Sequence, residues 1–113
     1  MNNKKILITG GTGFIGYHLA KKCLKLNWSV TSLSTKKPKK IRKLKRVKYL
    51  VGDISKKKKL IKIIKPNSYD YVVNLAGYVD HSYKKKTINS HYNGYKNLSL
   101  FFLNSKIKKF IQI

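Results

Sequence analysis

The chain has 113 residues, which is enough for one domain with a modest hydrophobic core. Its single cysteine, Cys23, excludes an intramolecular disulfide and a thiolate metal cluster. No apolar run approaches the roughly 20 residues that a membrane helix requires, and the N-terminus lacks the apolar stretch of a signal peptide. We therefore expect a cytoplasmic protein with no membrane partner.

The formal net charge of +24 at pH 7 raises the hypothesis of a nucleic-acid-binding protein. The cations are 25 lysines and 2 arginines, and they are spread along the whole chain. Base-reading and phosphate-clamping surfaces favour arginine, because its planar fork makes two hydrogen bonds at once. Nucleic-acid binding is therefore kept as an alternative and is not the main hypothesis.

The first predicted unit is an apolar strand over 4–9 that runs into a glycine-rich turn and then a helix. Its three glycines are expected to have separate roles. Gly10 permits the tight turn, Gly13 lets the backbone approach a pyrophosphate, and Gly16 lets the helix lie close to the sheet. The segment predicts a binding site for a dinucleotide.

The start of that helix is the expected contact with the phosphates. The N–H groups around Gly13, Phe14 and Ile15 lack partners inside the helix, and the positive end of the helix dipole lies at the same place. Helical spacing places an apolar stripe on the inner face of the helix, formed by Ile15, Leu19, Cys23 and Leu26.

The rest of the chain alternates between strands and helices. In its first half the sequence predicts a strand over 28–33, a basic stretch over 35–46 that is a loop or a short frayed helix, and a strand over 47–51. A helix capped by Ser55 follows, with Leu60, Ile61 and Ile64 facing inward, and then a strand over 69–75, a helix over 88–104 and a strand over 108–113. This alternation predicts an α/β fold of the Rossmann type, a doubly wound parallel sheet of five strands, truncated at the fifth. The expected strand order is third, second, first, fourth, fifth, with the ligand crevice at the carboxyl ends of the first and fourth strands.

The end of the second strand bears on the choice between NAD and NADP. An acidic residue at this place accepts both hydroxyls of the adenosine ribose and selects NAD. This chain has Ser34 there, followed by Thr35, Lys36 and Lys37. A small hydroxyl with cations behind it accommodates a 2′-phosphate, so the expected cofactor is NAD(P), with NADP favoured.

The spacing G-x-x-G-x-x-G, preceded by Thr9, resembles the fingerprint of the extended short-chain dehydrogenase/reductases, the epimerase/dehydratase family. Two further segments resemble motifs of that family. Gly52-Asp53-Ile54 resembles an acidic motif whose carboxylate hydrogen-bonds the adenine amino group. Asn74-Leu75-Ala76-Gly77 resembles the turn that passes under the ribose and nicotinamide. The candidate cofactor-binding residues are Gly10, Gly13, Phe14, Ile15, Gly16, Ser34, Lys36, Asp53, Ile54, Leu75, Ala76 and Gly77.

Structural alternatives stay open for these two segments. Asp53 is also typical of a turn in which the carboxylate bonds its own backbone or caps the next helix. Gly77 alone would explain the second segment as an ordinary turn at a strand end. The three histidines show no partner pattern, so we expect no metal site.

The resemblance implies a catalytic Tyr-x-x-x-Lys pair after the fifth strand, whereas this chain ends inside that strand. Tyr17 with Lys21 and Tyr92 with Lys96 have the spacing, but both pairs are expected to lie away from the place of hydride transfer. We therefore predict no catalytic residue among the 113, and a chain that is inactive alone. The substrate domain and the catalytic segment are then absent, and residues 1–113 are the N-terminal part of an NAD(P)-binding domain.

The parent protein implied by the resemblance is an epimerase, dehydratase or reductase that acts on a nucleotide sugar by hydride transfer. Its expected partners are the dinucleotide and the nucleotide sugar, and a homodimer is compatible with the family. Two alternatives stay open, namely a non-catalytic nucleotide-binding module and a basic nucleic-acid-binding protein.

Overall fold

A computed structural model describes residues 3–75, 94–103, 105 and 107–113. The elements, in chain order, are β1 (Lys5–Thr9), α1 (Phe14–Lys25), β2 (Ser29–Ser34), β3 (Val47–Val51), α2 (Lys57–Ile63), β4 (Tyr71–Asn74), α3 (Gly94–Phe102) and β5 (Lys109–Gln112). Two short 3₁₀ turns, Lys40–Arg42 and Pro66–Ser68, precede β3 and β4.

The five strands form one parallel sheet in the order β3-β2-β1-β4-β5, which confirms the predicted fold class and strand order. The register places Thr9 opposite Leu33 on one side and Asn74 on the other, and Leu33 lies opposite Leu50. The carboxyl ends of the four strands β1 to β4 therefore reach the same edge of the sheet. The turns that follow these strands are brought together at that edge.

Side chains alternate between the two faces of the sheet and form two apolar clusters. Leu7 and Leu33 belong to the cluster that packs with α2 and α3, whereas Ile6 and Ile8 belong to the cluster that packs with α1. All four of these side chains are buried. Burial on both faces is the usual condition of a parallel sheet whose crossovers carry helices.

The inner face of α1 differs from the predicted stripe at its two ends. Ile15 is 60% exposed and Leu26 is 52% exposed. The buried residues of the helix are Gly16, Ala20 and Cys23, so the prediction for Cys23 was correct. The smallest side chains face the sheet, and this lets α1 pack closely against it.

The start of α2 also differs from the prediction. The helix begins at Lys57, its N-cap is Lys56, and no side chain caps it, so Ser55 does not have the predicted role. Leu60 and Ile64 lie one above the other on the inner face, being four residues apart. Ile61, which was predicted to face inward, is 56% exposed because one residue turns the helix by about 100°.

The remaining differences are at element ends. β4 begins at Tyr71 and not at residue 69, because the 3₁₀ turn Pro66–Ser68 and its C-cap occupy the preceding residues. The helix predicted over 88–104 is described from Gly94 to Phe102, and residues 76–93 lie outside the described residues. Within the described ranges, no helix is long and apolar enough to cross a membrane.

Candidate functional site

The turn after β1 is fixed by its own backbone. Gly10 has φ 80°, a left-handed conformation that residues with a side chain rarely adopt. Its N–H donates to the Leu33 carbonyl at 2.8 Å, which ties the turn to the end of β2. The Gly13 N–H donates to the Gly10 carbonyl at 3.2 Å, so this amide closes the turn.

Two glycines of this turn are required by packing. A Cβ at Gly16 would lie 2.6 Å from the Gly10 carbonyl oxygen and 2.9 Å from the Gly11 carbonyl carbon. Gly16 therefore brings α1 against the turn itself. A Cβ at Gly11 would overlap the side chain of Ser32 on β2. The sequence prediction missed this Gly11–Ser32 contact, although a doubled glycine and a polar residue in a buried strand were its signals.

Gly13 is different, because the protein's own packing does not require a glycine there. A Cβ would meet only the Gly10 carbonyl oxygen, at an ordinary contact distance of 3.6 Å. Next to it, the amides of Phe14 and Ile15 donate to no acceptor among the described residues. Both side chains are exposed, at 64% and 60%. The start of α1 thus presents unpaired N–H donors at the positive end of a helix. This arrangement favours the binding of an anion.

The residues at the end of β2 lie next to this turn. The Ser34 carbonyl accepts from the Gly52 N–H at 2.8 Å, which joins the ends of β2 and β3. The Ser34 hydroxyl oxygen is buried and has no hydrogen-bond partner in the described part of the chain. Lys36, two residues further on, is exposed.

The turn after β3 carries Asp53 and Ile54. One carboxylate oxygen of Asp53 accepts from both the Ser55 N–H at 2.9 Å and the Ser55 hydroxyl at 2.7 Å, the geometry of a turn aspartate. The Ile54 side chain is buried against Gly94, and its carbonyl accepts from the Asn97 side-chain amide at 2.9 Å. The Ile54 N–H donates to none of the described residues, so Ile54 offers this backbone group and not its side chain.

The turn after β4 is anchored by a polar network, buried at Thr9 and Asn74, that the sequence did not predict. The Thr9 hydroxyl donates to the Asn74 side-chain oxygen, and the Asn74 side-chain amide donates to Gln112 at 2.6 Å. The Leu75 N–H donates to the Thr9 carbonyl at 2.9 Å. These bonds join the ends of β1, β4 and β5. Leu75 lies at this edge, whereas Ala76 and Gly77 fall outside the described residues.

The remaining candidates for a reactive side chain are Cys23 and the Tyr17–Lys21 pair on α1, whereas Tyr92 lies outside the described residues. Cys23 is buried in the α1 cluster, and burial raises the pKa of its thiol, as expected of a core residue and not of a nucleophile. On α1, the Lys21 ammonium lies 5.9 Å from the centre of the Tyr17 ring. Within the described ranges, no group of three or more His, Cys, Asp or Glu residues could hold a metal ion.

A parallel doubly wound sheet with a glycine turn between β1 and α1 defines the Rossmann class of α/β domains. The profile of the NAD dependent epimerase/dehydratase family matches residues 6–113, and the chain belongs to that family.

Similar proteins agree with this assignment. UDP-glucose 4-epimerase of Neisseria meningitidis serogroup B (strain ATCC BAA-335 / MC58) is 38% identical over 82 residues, which cover 66% of this chain and 24% of that protein. The structure of the UDP-Glc/GlcNAc 4-epimerase from Campylobacter jejuni superposes with a TM-score of 0.82 and 25% identity, covering 96% of this chain and 36% of that one. The Bordetella bronchiseptica enzyme WbmG, solved in complex with NAD and UDP, has a TM-score of 0.83 at 19% identity, covering 98% of this chain and 37% of that one. This chain therefore spans well under half the length of these relatives.

Proposed function

We propose that this chain binds a nicotinamide dinucleotide, NAD or NADP, at the carboxyl edge of its sheet. The observation that carries the proposal is the absence of a side chain at Gly13. The protein's own packing leaves room for one, so the open space beside the free amides of Phe14 and Ile15 is explained by a ligand. The pyrophosphate would lie there, where the N–H donors and the helix dipole stabilise its charge.

The turn after β3 would hold the adenine. Asp53 offers carboxylate oxygens as acceptors, and the adjacent Ile54 N–H is a donor without a described partner. An acceptor next to a donor is complementary to the amino group and ring nitrogen at one edge of adenine. The bonds from Ser55 orient the carboxylate, so the turn geometry and the ligand contact are compatible.

We further propose that NADP is bound in preference to NAD. Ser34 replaces the acidic residue that would repel a 2′-phosphate, and exposed Lys36 supplies a cation two residues away. The unpartnered Ser34 hydroxyl would gain a hydrogen bond to the phosphate after a rotation about χ1.

The whole protein is proposed to be an epimerase, dehydratase or reductase acting on a nucleotide sugar. The family assignment and the 4-epimerase activity named for two of the relatives support this proposal. A bound nicotinamide supplies a hydride acceptor and donor for a sugar carbon. Residues 1–113 would form the first part of the cofactor-binding domain, and we propose no catalytic residue among them. The chain by itself should then bind the dinucleotide without converting UDP-glucose, and measurable epimer formation would contradict this.

The cofactor proposal is tested by Gly13→Val, with NADPH and NADH binding followed by nucleotide fluorescence. The branched side chain would occupy the pyrophosphate position, so affinity should fall by about tenfold or more. Asn3→Val is the control, because it introduces the same side chain at an exposed, uncharged position before β1. Unchanged binding in a folded Gly13→Val variant would refute the assignment. Sequence-selective DNA binding at physiological salt would favour the nucleic-acid alternative instead.

The cofactor preference is tested separately by Ser34→Asp. A carboxylate would repel the 2′-phosphate and accept from the ribose hydroxyls, so the ratio of NADPH to NADH affinity should fall by about tenfold. Lys36→Gln should lower only the NADPH affinity. An unchanged ratio in both variants would contradict the proposed preference for NADP.

A further inference from the structure

A pocket of about 330 Å³ lies towards the opposite end of the sheet from the glycine turn, where the strands begin. Its lining includes Lys5 and Ser29, the first residues of β1 and β2, which lie opposite each other in the register. The glycine turn follows Thr9, at the other end of β1. Because a strand rises about 3.3 Å per residue, Lys5 is about 13 Å from Thr9, whereas Leu50, which is level with Leu33 in the register, lines the part of the pocket nearer the carboxyl edge.

The pocket exists because the sheet is polar and uncovered at this end. Lys5 and Thr31 lie on the same face as the buried Leu7 and Leu33, since side chains two residues apart share a face. A parallel sheet normally has apolar residues at such positions. Helix α2, with seven residues, is only about 10 Å long and reaches the pocket through Ile63 alone.

The lining is rich in hydrogen-bond donors and contains no carboxylate. Three lysines, Lys5, Lys48 and Lys65, line the pocket together with four residues that carry hydroxyl groups, Ser29, Thr31, Ser68 and Tyr69. Burial raises the pKa of the Tyr69 phenol more than a side-chain hydrogen bond with Thr31 lowers it, so the phenol remains protonated at neutral pH. Within the described residues, none of the three ammonium groups is paired with a carboxylate.

We propose that this pocket binds a small phosphorylated organic anion. The phosphate would accept from the ammonium and hydroxyl groups, which form their strongest hydrogen bonds with an anion. The organic part would lie on the apolar strip of Leu50 and Ile63. The volume is at the lower end of the range for small-molecule sites, which favours a small monoester over a dinucleotide. This site is separate from the proposed cofactor edge.

Asp70 is the acidic residue next to this pocket and opposes the binding of an anion. It is not part of the lining, but its carboxylate accepts from the Lys5 backbone N–H at 2.8 Å. Asp70→Asn keeps an oxygen that can accept from this N–H and removes the negative charge. The variant should therefore bind the anion more tightly, whereas a merely damaged pocket would bind it more weakly.

The probe is phenyl phosphate, measured by equilibrium dialysis with the full chain in about 150 mM NaCl, where distant charges are screened. Lys48→Gln and Thr31→Val should each raise the Kd by about fivefold or more, because Lys48 is a donor to the phosphate and the Thr31 side chain holds the Tyr69 phenol in place. Asp70→Asn should lower the Kd by about twofold or more. Lys62→Gln is the matched control, since it removes the same charge from an exposed position on α2 outside the pocket.

Several outcomes would overturn the proposal. An equal loss of affinity in Lys62→Gln and Lys48→Gln would show attraction to net charge and no defined site. Competition by NADPH, or loss of binding in Gly13→Val, would place phenyl phosphate at the cofactor edge. Equal affinity for phenyl phosphate and inorganic phosphate would overturn the role of Leu50 and Ile63, whereas clearly tighter binding of phenyl phosphate supports it.

Discussion

The side-chain amide of Asn97 donates to the carbonyl of Ile54 at 2.9 Å and joins α3 to the turn after β3, across 43 residues of sequence. Beside this bond, Gly94 lies so close to Ile54 that a Cβ would be 2.6 Å from its side chain. Helix α3 therefore packs against the turn that carries Asp53 and stabilises it. The proposed adenine contact depends on a helix that is remote in sequence.

Asn97→Ala should lower the free energy of unfolding by about 1 to 2 kcal/mol, because the partly buried Ile54 carbonyl loses its donor. The midpoint of urea unfolding measures this change. Ser99→Ala is the control, since its hydroxyl bonds the Lys96 carbonyl within the same helix and is exposed. Dinucleotide affinity should also fall in Asn97→Ala. A destabilised variant with unchanged affinity would show that the turn does not depend on this bond for binding.

The glycine turn allows stability and binding to be separated by two alanine substitutions. Gly16→Ala should cost about 2 kcal/mol or more in unfolding free energy, because its Cβ would be forced against backbone atoms that cannot move aside. Gly13→Ala should cost only about 1 kcal/mol, since its Cβ has room and the loss is that of placing alanine at the N-cap of α1. Thermal or urea unfolding of both variants checks the difference. Equal destabilisation would mean that Gly13 is required by packing, and the cofactor argument would lose its basis.

The fold could be predicted from the sequence because local residue patterns indicate its strands, turns and helices. Apolar strands such as Ile6–Ile8 and Val72–Val73 are buried on both faces, so each appears as an unbroken apolar run bounded by turn residues. The glycine spacing predicted the strand, turn and helix, and the alternation of elements predicted the strand order.

The parts that could not be predicted depend on contacts between distant residues. The predicted strand order makes β1, β4 and β5 neighbours, but the hydrogen bonds of Thr9, Asn74 and Gln112 depend on the strand register, which local patterns do not give. The outward position of Ile61 depends on where α2 begins, and element boundaries are set by caps and tertiary packing that local patterns describe poorly.

The pH dependence of stability should reveal the buried thiol of Cys23. Burial raises its pKa above the ordinary value of 9.0, so the folded chain retains a proton that the unfolded chain releases above that pH. The folded state then binds more protons than the unfolded state. The contribution of Cys23 to the free energy of unfolding is therefore constant below about pH 8 and falls above about pH 9. Cys23→Ala should remove this contribution. If the free energy of unfolding changed in the same way with pH for wild type and Cys23→Ala between pH 7 and 10, this prediction would be contradicted.

The N-terminus of α2 carries charges of the unfavourable sign. The N-cap Lys56 gives no side-chain cap, and the first turn, 57–59, contains lysines and no acidic residue. Positive charge at this end opposes the helix dipole, so Lys57→Glu should raise the free energy of unfolding by about 0.5 to 1 kcal/mol at low salt.

Lys62→Glu is the matched comparison for this prediction, because it makes the same change of charge near the carboxyl end of α2. Both variants lower the net charge equally, so relief of general repulsion would stabilise them equally. The dipole acts with opposite sign at the two ends, so Lys57→Glu should be the more stable variant. Urea unfolding at about 20 mM and 500 mM NaCl should show the difference shrinking with salt, since both sites are exposed and screened. Equal free energies of unfolding for the two variants at low salt would show that the effect comes from net charge and not from the helix dipole.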